Sequence, residues 1–508
     1  MFFAAFPVYD FPMRRYECVA IVCLLLVSTR AAAATITNDE FWTDTSGNLV
    51  CSQGGGILKI GGMYYWYGVN YAAAATYAAK PGSANAGRAV FRSVTCYSST
   101  DLSHWKFVGD VLTRDQVGRG WFGRIGVAYN HSSHQYVLIG QGSSPQRRHG
   151  EYFATSSSPT GPFRFNNVQA TLPFIVTGAT GDQTVFQDDD GMAYVICCNS
   201  HGRSHLYVAP LRSSDFLAVE SATEIFKGPG REGNCMFKHD GRYYFCSSNL
   251  HGWNASPTYV ISATSILGPY GPESVMRNSQ LDFSHVTQCG FFFTVDGTAQ
   301  STVIYAGDRW CDFGGNGIGY NQWVPLSFDG ATPVFNSLSQ WNIDATTGQW
   351  SVGPRNNYVL NPSFEADRVR QHSLAGWTAA SDIAGGSPNG NSSKGEAHTG
   401  NFCLRQAYPT AYKAEMSQDI ANLPDGDYTL SAWVKSSGGQ NSAVLAIRDF
   451  GGGERSQSLA EPIDQWTLVT IPSIRLSSGK CRIAIRSDAS AGNWLEVDDV
   501  SLVRFARR

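Results

Sequence analysis

The sequence predicts an all-β chain, a five-bladed β-propeller followed by a jelly-roll β-sandwich, and three observations predict it. Five times a short turn leads into a strand that carries a tyrosine, at Tyr65, Tyr136, Tyr194, Tyr244 and Tyr305. Repetition of one strand unit at a roughly constant period is the mark of a propeller or array. Beyond Gly353-Pro354-Arg355-Asn356 the pattern changes to short strands of alternating polarity, and no long amphipathic helix pattern occurs anywhere.

The elements follow in order. Residues 1–34 read as a secretory signal: Arg14-Arg15 precede the apolar run Cys18 to Val27, and the small residues Ala31 to Ala34 follow, with Met13 an alternative start. The run is too short for a membrane helix, so a secreted or periplasmic protein is expected. Residues 38–353 hold the five repeats. Each tyrosine strand continues into Ser/Thr/Pro/Gly punctuation, such as Ser98-Ser99-Thr100-Asp101-Leu102, Gly161-Pro162-Phe163, Ala209-Pro210-Leu211, Leu267-Gly268-Pro269-Tyr270 and Trp323-Val324-Pro325-Leu326. Strand, turn and strand closed by such punctuation is how a four-stranded blade reads. Residues 356–505 open with Asn361-Pro362-Ser363-Phe364-Glu365. They include Asp427 to Val434, which alternates as a half-buried strand should, and the strands Trp466 to Ile471 and Trp494 to Leu502. Gly385 to Gly395 reads as an exposed polar loop.

Composition bounds the function. The 508 residues carry a formal net charge of −3, so no polyelectrolyte partner is implied and nucleic acid is not expected. With 13 Trp, 23 Tyr, 28 Phe and 53 Gly, the chain suits tight-turned sheets and aromatic faces on which sugars stack. Ten of the 12 cysteines lie beyond the signal, without metal-type pairs. Cys403 and Cys481, the two in the C-terminal region, are the expected disulfide. Cys197, Cys198, Cys235, Cys246 and Cys289 lie in apolar strand contexts and read as buried thiols.

A propeller site lies where the innermost strands point inward. The polar candidates there are Gln53, Arg124, Asp182, Glu232 and His285 to Gln288, one segment from each repeat. Asp182 and Glu232 supply the paired carboxyls that glycoside hydrolysis requires. His285 faces the funnel or a central ion, or is a satisfied structural histidine; His239, beside a turn, reads as structural. Trp121, Tyr152, Trp253 and Trp310 are sugar platforms or blade packing, and Arg124 and Arg309 are candidates for sugar hydroxyls.

The propeller region resembles glycoside hydrolase family 43, and within it the exo-β-1,3-galactanase branch. The resemblance rests on Trp42-Thr43-Asp44-Thr45, Gly54-Gly55-Gly56-Ile57-Leu58, Tyr64-Tyr65-Trp66-Tyr67-Gly68, Cys96 to Leu102, Asp182 with Phe186-Gln187-Asp188-Asp189-Asp190, and Gly307-Asp308-Arg309-Trp310. It implies that Glu232 is the general acid, that Asp182 orients it and tunes its pKa, and that Gln288 positions the attacking water in place of a first-blade aspartate, which is absent at Ser52-Gln53. It implies sugar contacts from Gln53, Arg124, Trp253, Arg309 and Trp310, no catalytic metal and no required cofactor. Two positions depart from the branch: Gly123 and Val69 stand where it has glutamates. Asn361 to Glu365, Gly376-Trp377 and Asp498-Asp499-Val500 resemble carbohydrate-binding modules of families 4 and 9. There Glu365 and Asp499 could hold a structural Ca²⁺, and Trp377, Trp433 and Trp494 are sugar-facing or core.

The reading is a secreted, monomeric glycosidase with a polysaccharide or oligosaccharide substrate and no membrane partner, an inverting exo-enzyme on β-1,3-galactan or arabinogalactan. The alternatives are α-L-arabinofuranosidase or β-xylosidase activity, or a non-catalytic glycan-binding propeller.

Overall fold

The computed structural model describes residues 33–79, 90–144, 147–252, 254–310, 319–367, 370–393 and 395–505. The expected signal therefore lies almost wholly outside the described residues, as does Trp253. Five four-stranded antiparallel sheets follow one another along the chain. Their first strands are Gln53–Ile60, Trp121–Asn130, Thr180–Gln187, Arg231–His239 and Gln288–Asp296. The tyrosines that mark the repeat all fall on second strands: Met63–Tyr71, Gln135–Ser144, Ala193–Asn199, Arg242–Asn249 and Ser301–Trp310. Each sheet is a plain meander, and each first strand touches the first strand of the next sheet, the fifth touching the first.

All five first strands carry the same irregularity. The register with the second strand slips between Gln53 and Gly56, Gly123 and Gly126, Thr180 and Gln183, Glu232 and Cys235, and Cys289 and Phe291. A bulge bends its strand and re-aims the side chains beside it. Three of these slips contain left-handed backbone, at Gly54, Arg124 and Gly233.

The chain is drawn together where its first and last sheets meet. Trp66 from the first sheet and Trp323 from the fifth lie 4.9 Å apart between ring centroids, and Trp42 and Trp105 pack edge-on against Trp323. Asn38 supports the same place: its Nδ2 donates to the carbonyls of Trp323 and Leu338, and its Oδ1 accepts from the Trp323 N–H. Ala34–Thr37 pairs with Gln340–Ile343, so the N-terminal strand is tied to a segment 300 residues on.

Past residue 356 two five-stranded antiparallel sheets share one core. Leu404, Leu430, Val434 and Val497 come from one sheet, and Met416, Leu445, Ile447 and Ile485 from the other. The strand Gly426–Ser436 alternates in burial as its sequence does. Two expectations fail here. Cys403 and Cys481 are both free thiols: Cys403 leads into a strand of one sheet, where its N–H donates to Ser392, while Cys481 faces Ile420 in the other. Burial raises both, Cys481 to about 12. Gly385 to Gly395 is exposed only in part. Asn389–Asn391 is a buried strand, because Asn389 Nδ2 donates to the carbonyls of Ala380 and Glu415 in the opposite sheet.

Trp323 is fully buried among three other indoles. Trp323→Ala should therefore cost about 3–5 kcal/mol, read as a lower urea midpoint. Leu468→Ala, at a side chain 52 % exposed, should stay within about 0.5 kcal/mol. Equal midpoints for the two variants would refute the indole cluster as the fastening.

Candidate active site

The bulges place one polar side chain from each of the second to fifth sheets around a cavity of about 320 Å³, lined by Trp121, Arg124, Gln141, Asp182, Arg203, Glu232, Gly252 and Gln288. That is the low end of ligand-pocket volumes. Larger hollows exist, including one of about 600 Å³ at the opposite ends of the first strands. There Asp189 is ion-paired to Lys238, and the other lining carboxylates, Asp240 and Asp296, are exposed.

Arg124 organises the small cavity. Its Nη2 donates to Asp182 Oδ2 and to Gln288 Oε1, each at 2.7 Å, and its Nη1 lies 3.4 Å from the Cys289 carbonyl and 3.9 Å from Asp308 Oδ2. Gln288 Nε2 in turn donates to Glu232 Oε1 at 2.6 Å and to the Gly252 carbonyl at 3.2 Å. The Gly233 N–H donates to Asp182 Oδ2 at 3.0 Å. Gly233 has φ +60°, and a Cβ there would lie 2.6 Å from the Cys289 carbonyl oxygen. Only glycine turns the chain at this point without strain or clash.

The two carboxyls are driven apart in acidity. Burial would raise Asp182, but the guanidiniums of Arg124 and Arg203 and the Gly233 N–H outweigh it and hold the group below the usual carboxylate range. Glu232 goes the other way. Burial and then the Asp182 charge raise it to about 7, against the opposing pull of Arg203, Arg124 and Gln288. One group held ionised beside another poised near neutrality is the arrangement that divides acid–base roles between two carboxyls.

The structure thus brings Arg124, Asp182, Glu232 and Gln288 together, with Trp121 half-buried beside them. Gln53 is buried at the head of the first sheet and does not line this cavity. Arg309 points elsewhere: it pairs with Asp39 at 3.1 Å and lines a separate hollow with Glu365 and Asp499. Trp310 ends its strand. Tyr152 is core, packed on Phe122 and Phe165. His285 is structural, with Asp39 on one ring nitrogen and Ser337 on the other; although burial opposes it, Asp39 and Asp282 raise it to about 10. His239 stacks on Phe328.

At the C-terminal region, Glu365 Oε1 accepts from the N–H groups of Asn401 and Phe402, and Asp499 accepts from His398 and Thr399. Among the described residues no group of three or more His, Cys, Asp or Glu side chains is arranged to hold a metal ion. Trp377 is core, whereas Trp433 and Trp494 are half-buried.

Three charged residues escaped the sequence reading. Arg203 reaches Glu232 and Asp182 from the turn before His205–Pro210. Asp308 lies directly across from Gln288 on the neighbouring strand, so the period-two rule could have placed it on the same face. Burial raises it to about 6 despite Arg124. Glu151 is buried behind the site, where it accepts from Thr180 Oγ1 and, at 2.7 Å, from Gln183 Nε2, and so braces the strand bearing Asp182.

Comparison with known proteins agrees with this chemistry. A family model described as glycosyl hydrolases family 43 matches residues 56–314. A putative beta-xylosidase from Xylanibacter ruminicola is 24 % identical over 355 residues, covering 60 % of this chain and 64 % of that one. A non-reducing end alpha-L-arabinofuranosidase from Bacteroides ovatus is 24 % identical over 193 residues, 36 % of this chain and 35 % of its own. The chain thus spans less than two thirds of the length of these curated relatives. The exo-beta-1,3-galactanase from Phanerochaete chrysosporium, solved with galactose, is 22 % identical, covers 92 % of this chain and 100 % of its own, and has a TM-score of 0.56. An exo-beta-1,3-galactanase from Clostridium thermocellum is 21 % identical, covering 92 % and 99 %, with a TM-score of 0.55. At these identities the solved structures establish likeness of fold. The family match, over half the chain, establishes more: this chain belongs to glycosyl hydrolases family 43.

Proposed function

We propose that the protein is an inverting exo-hydrolase of β-1,3-galactan or arabinogalactan-type polysaccharide, acting in the axial cavity of a five-bladed β-propeller. The ring of first strands supports the propeller, and the two sheets sharing a core beyond residue 356 support a jelly-roll partner. The observation that carries the reaction is the Asp182–Arg124–Gln288–Glu232 network with its divided acidities.

In this reading Glu232 donates its proton to the glycosidic oxygen as the bond to the anomeric carbon breaks. Water attacks the opposite face of that carbon, and its spare proton passes to solvent. Asp182 stays ionised and keeps Glu232 protonated near neutrality. Gln288, a neutral amide, orients the water rather than taking its proton. The small cavity supports recognition of one terminal sugar. The curated relatives support a second reading, β-xylosidase or α-L-arabinofuranosidase activity.

Glu232→Gln keeps the shape and removes the proton, so hydrolysis should fall by about 10²–10⁴-fold while sugar binding persists. Monosaccharide release from β-1,3-galactan, arabinogalactan, arabinan and xylan decides the substrate, and NMR of the first-formed anomer decides the stereochemistry. A wild type that releases nothing from any of them would favour a glycan-binding role, and a retained anomer would exclude inversion.

Because Glu232 must be protonated, kcat/KM should fall as pH rises through about 7. Asp182 must be ionised and is held low, so the acidic fall should lie below the ordinary carboxylate range. Asp182→Asn removes the anion that raises Glu232 and should move the basic limb to lower pH. A basic limb that stays put in this variant would refute the coupling.

A further inference from the structure

Arg203 has no part in the reaction as derived above, yet it touches both carboxyls. It sits in left-handed backbone, φ 49°, in the turn between the second and third strands of the third sheet. Its carbonyl accepts from the N–H of Arg231, the residue before Glu232, at 2.8 Å. Its Nη1 lies 2.5 Å from Glu232 Oε2 and 3.3 Å from Asp182 Oδ1. One residue thus grips the strand of the acid by its backbone and the acid itself by its side chain.

The grip opposes the chemistry. Both oxygens of Glu232 accept from donors, Oε1 from Gln288 and Oε2 from Arg203. Two N–H donors favour the carboxylate, whereas a general acid needs a proton on one oxygen. Gln288 is buried and pinned by Arg124, so Oε1 keeps its partner. Arg203 is the more accessible member: its side chain is 30 % exposed against 6 % for Arg124.

We propose that Arg203 is a positioning residue that masks Oε2 of Glu232 in the free enzyme and is displaced onto Asp182 by the incoming glycosidic oxygen, so that the acid holds its proton to higher pH with substrate in place. The proposal rests on the reading of Glu232 as general acid. Asp182 already lies 3.3 Å from the same guanidinium nitrogen, so the exchange requires only a small shift. The ionisable groups around Glu232 are Asp182 from the third sheet, Arg124 from the second, Arg203 from the turn, and Asp308 beyond Arg124. The Cys198 thiol lies beside Asp182, and burial raises it to about 12, which leaves it neutral. Of these, Arg203 is the cation bonded to the proton-donating oxygen.

The basic limb of kcat/KM reports the acid in the free enzyme, and that of kcat reports it in the complex. In the wild type the kcat limb should therefore lie at higher pH. Arg203→Gln should raise the kcat/KM limb by about one to three pH units, leaving the kcat limb in place, so that the two converge. Arg203→Lys, which keeps the charge, should keep them apart. Carbon-13 NMR of glutamate-labelled protein, with Glu232→Gln identifying the resonance, reads the same rise in the free enzyme without turnover. Failure of the proposed substrate and failure of this proposal are thereby read separately. A Glu232 titration unchanged in Arg203→Gln, or coincident limbs in the wild type, would overturn it.

Discussion

The buried guanidinium of Arg124 is the interaction on which the site depends. Asp182, Glu232 and Asp308 are all withdrawn from water, and a charge buried without compensation costs several kcal/mol. Among the described residues Arg124 is the cation that reaches Asp182, Asp308 and Gln288 together. It holds a left-handed conformation, φ 48°, that a non-glycine residue adopts only when its surroundings require it. Here the requirement is visible: the bulge between Gly123 and Gly126 swings Arg124 inward, and the third and fifth sheets offer it acceptors.

The same bulge recurs in every first strand, yet its occupants differ. The first sheet brings Gln53 and Gly54, the second a cation, the third and fourth carboxyls, and the fifth an amide. Repetition supplies five comparable positions on first strands that touch in succession, and their occupants differ in chemistry. The first sheet contributes by its backbone instead, the Gly54 N–H donating to Asp308 Oδ1 at 3.3 Å.

What was legible in the sequence follows from this geometry. Arg124, Asp182, Glu232 and Gln288 stand at the heads of first strands, so counting repeats finds them. Arg203 was not legible, because a turn residue has no periodicity and its partners lie 29 and 21 positions away in sequence. Glu151 sits on a third strand, where a single carboxylate in the run Gly150 to Ala154 looks like an exposed edge; its burial comes from Thr180 and Gln183 in the next sheet. Arg309 was misplaced for the opposite reason. Its neighbour Asp308 faces the site, and alternation along a strand sends the next residue to the other face, where Asp39 holds it. The Cys403–Cys481 pairing failed because being the two cysteines of one region says nothing of their distance: each is buried as a free thiol in its own surroundings, Cys403 beside Ser392 and Cys481 across from Ile420.

The two departures from the galactanase pattern acquire a common meaning from packing. A Cβ at Gly123 would lie 2.8 Å from Tyr71 Oη and 2.9 Å from the Trp121 ring, so the indole occupies the space that a longer side chain would need. Val69 is buried in the apolar cluster that also contains Tyr71 and Phe122. Neither position could take a glutamate without displacing these neighbours or leaving a charge unpaired in the core. Beside these two positions the cavity lining is therefore the half-buried Trp121, an indole of the kind on which the C–H face of a sugar can stack. The polar lining comes from Arg203, Asp182, Glu232 and Gln288. A site lined by both an aromatic face and charged groups fixes the orientation of the bound ring before it fixes its identity.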